Sequence, residues 1–299
     1  MTRTIAVIGG TSGIGLEIAK TVVARGDNVL LTGRDADRTA EIAASIGENA
    51  TGLALDISEP ETIAEALKPC GQIHGLVLAA IERDANSVRE YNIARARRLV
   101  TLKLVGYTEV VHTLLDRLEP TVDTGIVLFG GRAKDAPYPG STTVATINGG
   151  VEGLVHSMAL ELAPMRVNAL HPGIIGDTPF WADKPAGVLE AYESRTPGGK
   201  LATTADIVDA TMFLLNNRGV SGTSLYVDRG WRLTVGRSHD EDVARRAEGV
   251  GAGRRRQSVG RLGRRDRAGQ RTDQLPRHAT RPHPRAVARA GAARGGVPA

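Results

Sequence analysis

The feature that most narrows what this chain can fold into lies near its start, at Gly9-Gly10-Thr11-Ser12-Gly13-Ile14-Gly15. Before it, Ile5-Ala6-Val7-Ile8 reads as a short buried strand. After it, Leu16-Glu17-Ile18-Ala19 opens a helix. Glycines in the spacing Gly-x-x-x-Gly-x-Gly let the backbone turn tightly and approach a pyrophosphate. The helix N-terminus then supplies unpaired N–H groups and the positive end of its dipole. Gly9, Thr11, Ser12, Gly13, Ile14 and Gly15 are therefore the candidate phosphate cradle.

The rest of the first 236 residues repeats the strand-then-helix rhythm. Apolar runs at Thr4–Ile8, Asn28–Thr32, Thr51–Leu55, Gly75–Ala79, Gly125–Phe129, Arg166–Leu170 and Ser224–Val227 read as strands. Helix-period segments fall at Ile14–Arg25, Ala36–Ile46, Pro60–Leu67, Ala94–Leu118, Thr143–Leu162 and Ala205–Leu215. Apolar strands alternating with amphipathic helices predict a parallel sheet covered on both faces. The fold class expected is α/β: a single Rossmann-type domain over residues 1–236, a doubly wound parallel sheet flanked by helices.

The composition changes near Gly236. Residues 237–299 hold 16 Arg, no Lys and six acidic residues, a net charge of +10, so the remainder carries −5 of the chain's +5. Without aromatic residues and with few large aliphatic ones, this tail is expected to stay disordered. It also lacks the aromatic interleaving of a nucleic-acid arm, so no nucleic-acid partner is expected. No run of about 18 apolar residues and no signal-peptide pattern occurs, which predicts a cytoplasmic protein off the membrane. The single cysteine, Cys70, excludes an intrachain disulfide. No metal site is expected, because His74, His112 and His156 are not spaced as ligands.

Two strand ends bear on the cofactor. The second strand ends Leu30-Leu31-Thr32-Gly33-Arg34-Asp35. An acidic residue there suits a free ribose 2′-hydroxyl, and an Arg suits a 2′-phosphate. Arg34 thus favours NADP(H) over NAD(H), while Asp35 beside it suits the N-cap of the next helix. Asp56, after the third strand, can accept from an adenine amino group or serve as a turn residue ahead of Pro60.

Taken with these motifs, the chain resembles the short-chain dehydrogenase/reductase family over residues 3–235. The glycine turn resembles the family's Thr-Gly-x-x-x-Gly-Ile-Gly. Leu55-Asp56-Ile57 resembles its adenine-binding Asp-Val. Arg166-Val167-Asn168-Ala169-Leu170-His171-Pro172-Gly173 resembles Arg-Val-Asn-x-x-x-Pro-Gly, and Val227-Asp228-Arg229-Gly230 resembles Val-Asp-Gly-Gly. The resemblance implies cofactor contacts at Ala80, Asn148, Pro172, Gly173 and Ile175, and a homodimer or homotetramer. Phe180 and Trp181 are expected to form an apolar lid over the substrate.

The family's chemistry uses a Tyr as proton donor, a Lys four residues later, a Ser that orients the carbonyl and an Asn in a water relay. Aligned on Val151-Glu152-Gly153-Leu154, this chain has Val144 for the Tyr, Asn148 for the Lys, Gly131 for the Ser and Lys103 for the Asn. No Tyr-x-x-x-Lys occurs anywhere in it. Ketone reduction needs a proton delivered with the hydride, and valine has none to give. Three readings stand. Hydride transfer continues on a small carbonyl, enone or imine with a rearranged site, for which Lys103, Arg132 and Tyr138 are the catalytic candidates and His171 a neighbour. A non-redox reaction uses the same pocket. Or the chain binds NADP(H) without catalysis, as a sensor or a subunit of a partner enzyme. Lys103 is read either as a pocket amine or as a surface charge on a long helix, and Arg132 either as a catalytic group or as the ion-pair partner of Asp135.

Overall fold

The computed structural model describes residues 2–178 and 187–234. Phe180, Trp181 and the tail at 237–299 lie outside the described residues. Strand β1 (Thr4–Ile8) leads through the glycine turn into α1 (Gly13–Ala24). Then follow β2 (Asn28–Gly33), α2 (Ala36–Ile46), β3 (Ala50–Ala54), α3 (Ile63–Ala66), β4 (Gly75–Leu78), α4 (Ile93–Val100), α5 (Tyr107–Leu114) and β5 (Gly125–Phe129). The chain continues with α6 (Thr142–Glu161), β6 (Arg166–Pro172), α7 (Val188–Arg195), α8 (Thr204–Asn216) and β7 (Ser224–Val227). The seven strands form one parallel sheet in the order β3-β2-β1-β4-β5-β6-β7. The order reverses between β1 and β4. That reversal opens a crevice at the carboxyl ends of the two strands, where ligands of doubly wound sheets bind.

Alternation along each strand divides the core. Ala6 and Ile8 of β1 face one side with Ile63, Tyr107, Val110, Leu114, Val151 and Val155. Ile5 and Val7 face the other with Ile18, Val22, Ala43, Ile207 and Leu214. The first layer is thus built from α3, α5 and α6, and the second from α1, α2 and α8. Each fully buried aliphatic side chain contributes roughly 1.5–3 kcal/mol, so a sheet covered on both faces is held mainly by these two layers.

The strand expectations hold to within a residue or two. The expected helix over Ala94–Leu118 forms as one continuous run from Ile93 to Arg117 that changes type along its length: α4, a π-helical stretch over Thr101–Gly106, α5 and a short 3-10 turn at Leu115–Arg117. At Gly106 an added Cβ would lie 2.1 Å from the Ile57 carbonyl oxygen, so only a glycine lets this helix approach the loop after β3. The segment expected as a helix over Pro60–Leu67 starts as a 3-10 turn at Pro60–Thr62 before α3. Helix α7 was not expected. It buries none of its residues, so it has no apolar stripe to give a periodic signal.

One buried cation ties the far end of the sheet. Arg166 is 2% exposed and donates from Nε to the Val122 carbonyl at 2.7 Å, from Nη1 to Leu214 at 2.6 Å and from Nη2 to Leu215 at 2.7 Å. It takes carbonyls that the end of α8 leaves without intrahelical partners. Arg166→Met should therefore lower the unfolding free energy by about 3 kcal/mol, the scale of charged hydrogen bonds left unmade. Urea unfolding measures this, and an unchanged midpoint would contradict it.

Candidate functional site

The site is built outward from the glycine turn. Gly9 adopts φ +87°, and a Cβ on it would lie 2.7 Å from the Ala80 Cα. A Cβ on Gly15 would lie 2.2 Å from the Gly9 carbonyl oxygen. The turn is therefore pressed against the segment after β4 and folded on itself. Its register is pinned to β2, since the Gly9 amide donates to Thr32 Oγ1 at 3.2 Å and the Gly10 amide to the Thr32 carbonyl at 2.9 Å. Ser12, at the N-cap of α1, makes no side-chain cap bond, and the first turn holds no acidic residue. The first-turn amides have no intrahelical acceptor, and nothing lies within 4 Å of where a Cβ on Gly13 would stand. That is the donor set a pyrophosphate requires, so the expected cradle fits a dinucleotide.

Beside the cradle lies a chain of charges. Asp35 accepts from the Arg38 amide at 2.8 Å as the N-cap of α2. Arg34 points away from it and donates from Nη1 to Glu82 Oε1 at 2.9 Å. Glu82 also receives Arg98, whose Nη2 reaches Asp56 Oδ2 at 3.0 Å. Asp56 Oδ1 accepts from both the amide and the hydroxyl of Ser58. Burial pushes the Asp56 carboxyl up, but the Ser58 and Arg98 bonds outweigh it and hold it below the usual carboxylate value. One lone pair of Oδ2 remains for an adenine amino group. Glu82 and Arg98 were not singled out from the sequence, where nothing links residues this far apart.

Lys103 is not a surface charge. It is fully buried in the π-helical turn. Its Nζ lies 2.9 Å from Tyr107 Oη, which in turn donates to the Ala80 carbonyl at 2.9 Å. Since the phenol's one proton goes to Ala80, Lys103 is the donor in the first bond. Burial alone, with no carboxylate beside it, brings the amine down to about 7. Tyr107 is also buried, and its phenol is held well above its usual value by desolvation. Its place four residues after Lys103, one helical turn on, was a readable signal for this pair.

The end of β5 shows what replaces the expected serine. The Gly131 amide donates to His171 Nδ1 at 3.0 Å, so the imidazole proton sits on Nε2. That nitrogen is buried without a partner. Desolvation first, then the charge of Lys134, brings His171 down to about 4, so it is neutral at physiological pH. On the other side of Gly131, an added Cβ would meet Asn148 Nδ2 at 2.7 Å. Asn148 Oδ1 and Thr143 Oγ1, both buried on α6, have no hydrogen-bond partner. An unpartnered acceptor there suits a ligand hydroxyl.

The other two catalytic candidates do not join Lys103. Arg132 is buried and bonded to Asp135, as its ion-pair reading had it. Its Nε lies 3.1 Å from Asp228 Oδ2, and its guanidinium stacks over the Tyr226 ring at 4.9 Å. Lys134 donates to Tyr226 Oη at 2.7 Å and pairs with Asp135 and Glu152, while His171 stacks on the same ring at 5.2 Å. The charges of this cluster pair among themselves, while Arg132 Nε, like His171 Nε2, is buried without a hydrogen bond among the described residues. Tyr138 is 55% exposed between two prolines. After β6, Gly173 packs against Asp228, with room for no Cβ, and its amide donates to the Val227 carbonyl at 2.9 Å. Pro172 and Ile175 flank it, with Ile175 7% exposed. Thr178 Oγ1 donates to the Ile175 carbonyl at 3.2 Å.

A doubly wound sheet with a glycine cradle at its switch point defines a dinucleotide-binding protein. The sequence profile of a family described as "Enoyl-(Acyl carrier protein) reductase" matches residues 9–232. The chain is 33% identical over 249 residues to "Carbonyl reductase family member 4" of Danio rerio, covering 79% of this chain and 100% of that protein. It is 28% identical to "Cis-4-hydroxycyclohexanecarboxylate dehydrogenase" of Sinomonas cyclohexanicum, covering 77% and 96%. The solved structure of the MalC reductase/Diels-Alderase of Malbranchea aurantiaca superimposes with a TM-score of 0.71 at 23% identity, covering 78% and 97%, a likeness of fold. A solved short-chain dehydrogenase/reductase family protein gives a TM-score of 0.68 at 28% identity, covering 77% and 97%. The chain belongs to the short-chain dehydrogenase/reductase family of nicotinamide-dependent oxidoreductases.

Lys103 leaves a thermodynamic mark that needs no substrate. Its amine titrates at 10.5 in the reference state and near 7 in the folded protein. Between these values the unfolded chain binds the extra proton, so stability rises with pH across that window. Lys103→Met should therefore be more stable than the parent near neutral pH, with the gain shrinking as the pH approaches about 9.5. Denaturant unfolding at both ends of the window tests this. A pH-independent difference would contradict it.

Proposed function

We propose that the chain is an NADP(H)-dependent oxidoreductase in which Lys103 takes over proton delivery for a small carbonyl, enone or imine substrate. The observation that carries this reading is a fully buried amine, held near 7, whose hydrogen-bond partner is neutral. A general acid is most effective when its pKa lies near the working pH. Val144, at the family's Tyr position, has no proton to give.

When bound, the nicotinamide supplies or accepts the hydride. With Gly9 closing the turn, the amides of Thr11–Gly15 would hold the pyrophosphate, Asp56 the adenine and Arg34 the 2′-phosphate. Ala80 would back the cofactor beside the glycine turn, Asn148 would take a ribose hydroxyl with its unpartnered Oδ1, and Pro172, Gly173 and Ile175 would line the nicotinamide end. Tyr107 fixes the Lys103 amine by accepting one of its protons while giving its own to Ala80. As an ammonium, Lys103 donates a proton to the oxygen or nitrogen that gains charge, and is left as a neutral amine. An iminium substrate needs no proton at all, which leaves only orientation to the pocket. The protein works as a cytoplasmic homodimer or homotetramer. The partly exposed Val100 and Val105 on the helix that carries Lys103 support a subunit contact there.

The family positions held by Val144, Gly131 and Asn148 carry no titrating group, and this favours a second reading as a non-catalytic NADP(H) binder. Fluorescence titration should give saturable binding of NADPH, tighter than NADH. Among imines, enones and ketones, at least one should drive NADPH oxidation. Lys103→Met should slow that turnover by about 100-fold or more with NADPH affinity unchanged. Binding without turnover of any of the three classes favours the second reading, and no saturable binding of either cofactor rejects both.

A further inference from the structure

Four charged side chains from four elements meet across the carboxyl ends of β2, β3 and β4. Arg34 follows β2, Asp56 follows β3, Glu82 follows β4 and Arg98 lies on α4. Glu82 is their hub. Its Oε1 accepts from Arg34 Nη1 at 2.9 Å and from Arg98 Nη2 at 2.7 Å, while its Oε2 accepts from Arg98 Nε at 2.9 Å. The two arginines are held unequally. Arg98 is bound through two nitrogens to Glu82, reaches Asp56 as well, and lies 3.8 Å from Glu59. Arg34 is held through one nitrogen only, and its side chain is 67% exposed. Arg98 therefore fixes Glu82 in place, and Arg34 is the member free to swing away.

We propose that Glu82 is a specificity-determining residue that competes with the cofactor's 2′-phosphate for Arg34. This rests on the NADP(H) reading above. Arg34, Arg98, Asp56, Glu59 and Glu82 together carry one negative charge more than positive. A 2′-phosphate brings about −1.5 to −2 more. To meet it, Arg34 must leave the Glu82 carboxylate that now holds it. A free 2′-hydroxyl carries no charge and asks for no such exchange. Glu82 thus weakens the phosphorylated cofactor selectively. The segment that carries it, running on from Ala80 beside the glycine turn, places the competing carboxylate at the adenosine end of the crevice.

The test uses the full chain and four proteins: parent, Glu82→Gln, Arg34→Ala and the double variant. Each is titrated with NADPH and with NADH by fluorescence. Glu82→Gln keeps the size and polarity of the side chain and removes its charge. It should tighten NADPH about three- to fivefold, the scale of freeing one exposed arginine from a single-nitrogen pair with a carboxylate. NADH should change by less than about twofold. In the Arg34→Ala background the gain on NADPH should vanish, because no guanidinium remains to be released. An equal gain for both cofactors, or a gain that survives Arg34→Ala, would overturn the exchange in favour of a general charge effect. If Arg34→Ala weakens NADPH and Glu82→Gln changes nothing, the exchange fails and the NADP(H) reading stands. If Arg34→Ala leaves the ratio of the two affinities unchanged, the cofactor reading fails and the exchange falls with it.

Discussion

The close approach of the glycine turn to the end of β4 is the contact on which the rest of the site depends. With Gly9 lying on Ala80 and Gly15 folded back on Gly9, β1 and β4 must sit side by side and in register before the turn can close. Their pairing places the reversal of strand order here. The same contact sets α1 with its first amides facing the crevice. It also fixes the Ala80 carbonyl, which orients Tyr107, and through Tyr107 the buried amine of Lys103. One steric requirement thus couples the glycine turn to the buried Lys103–Tyr107 pair.

Much of this was legible in the sequence because its signals are local. Glycine spacing between a strand and a helix depends on neighbours along the chain, and so do the apolar runs. The seven strands and the cradle could therefore be read directly. The π-helical turn was not legible in the local periodicity; it ends at Gly106, which packs on a loop some 50 residues earlier in the chain. The same holds for Glu82 and Arg98, whose meaning lies in charges gathered from separate strand ends. Lys103 was legible as a departure from the family pattern but not as buried, since its surroundings are set by the packing of the helix rather than by its sequence neighbours.

Arg132 teaches the opposite lesson. It is a cation beside the expected substrate pocket, and sequence position alone made it a catalytic candidate as well as a partner for Asp135. Packing assigns it to a cluster with Lys134, Asp135, Glu152 and Asp228 around the Tyr226 ring, where its charge is spent on neighbours. Lys103 has no such carboxylate, only the neutral phenol of Tyr107. The distinction between the two cations is one of company rather than of residue type.

The pairing of Gly131 with Asn148 bears on how this site can change over evolutionary time. A Cβ at residue 131 would fall 2.7 Å from the Asn148 amide nitrogen, and on its other side the Gly131 amide is committed to His171. A side chain enters at residue 131 only if the Asn148 amide turns aside, so a larger residue at 131 and the present Asn148 conformation exclude each other. The two positions are coupled, and a change at either alters what the other can hold.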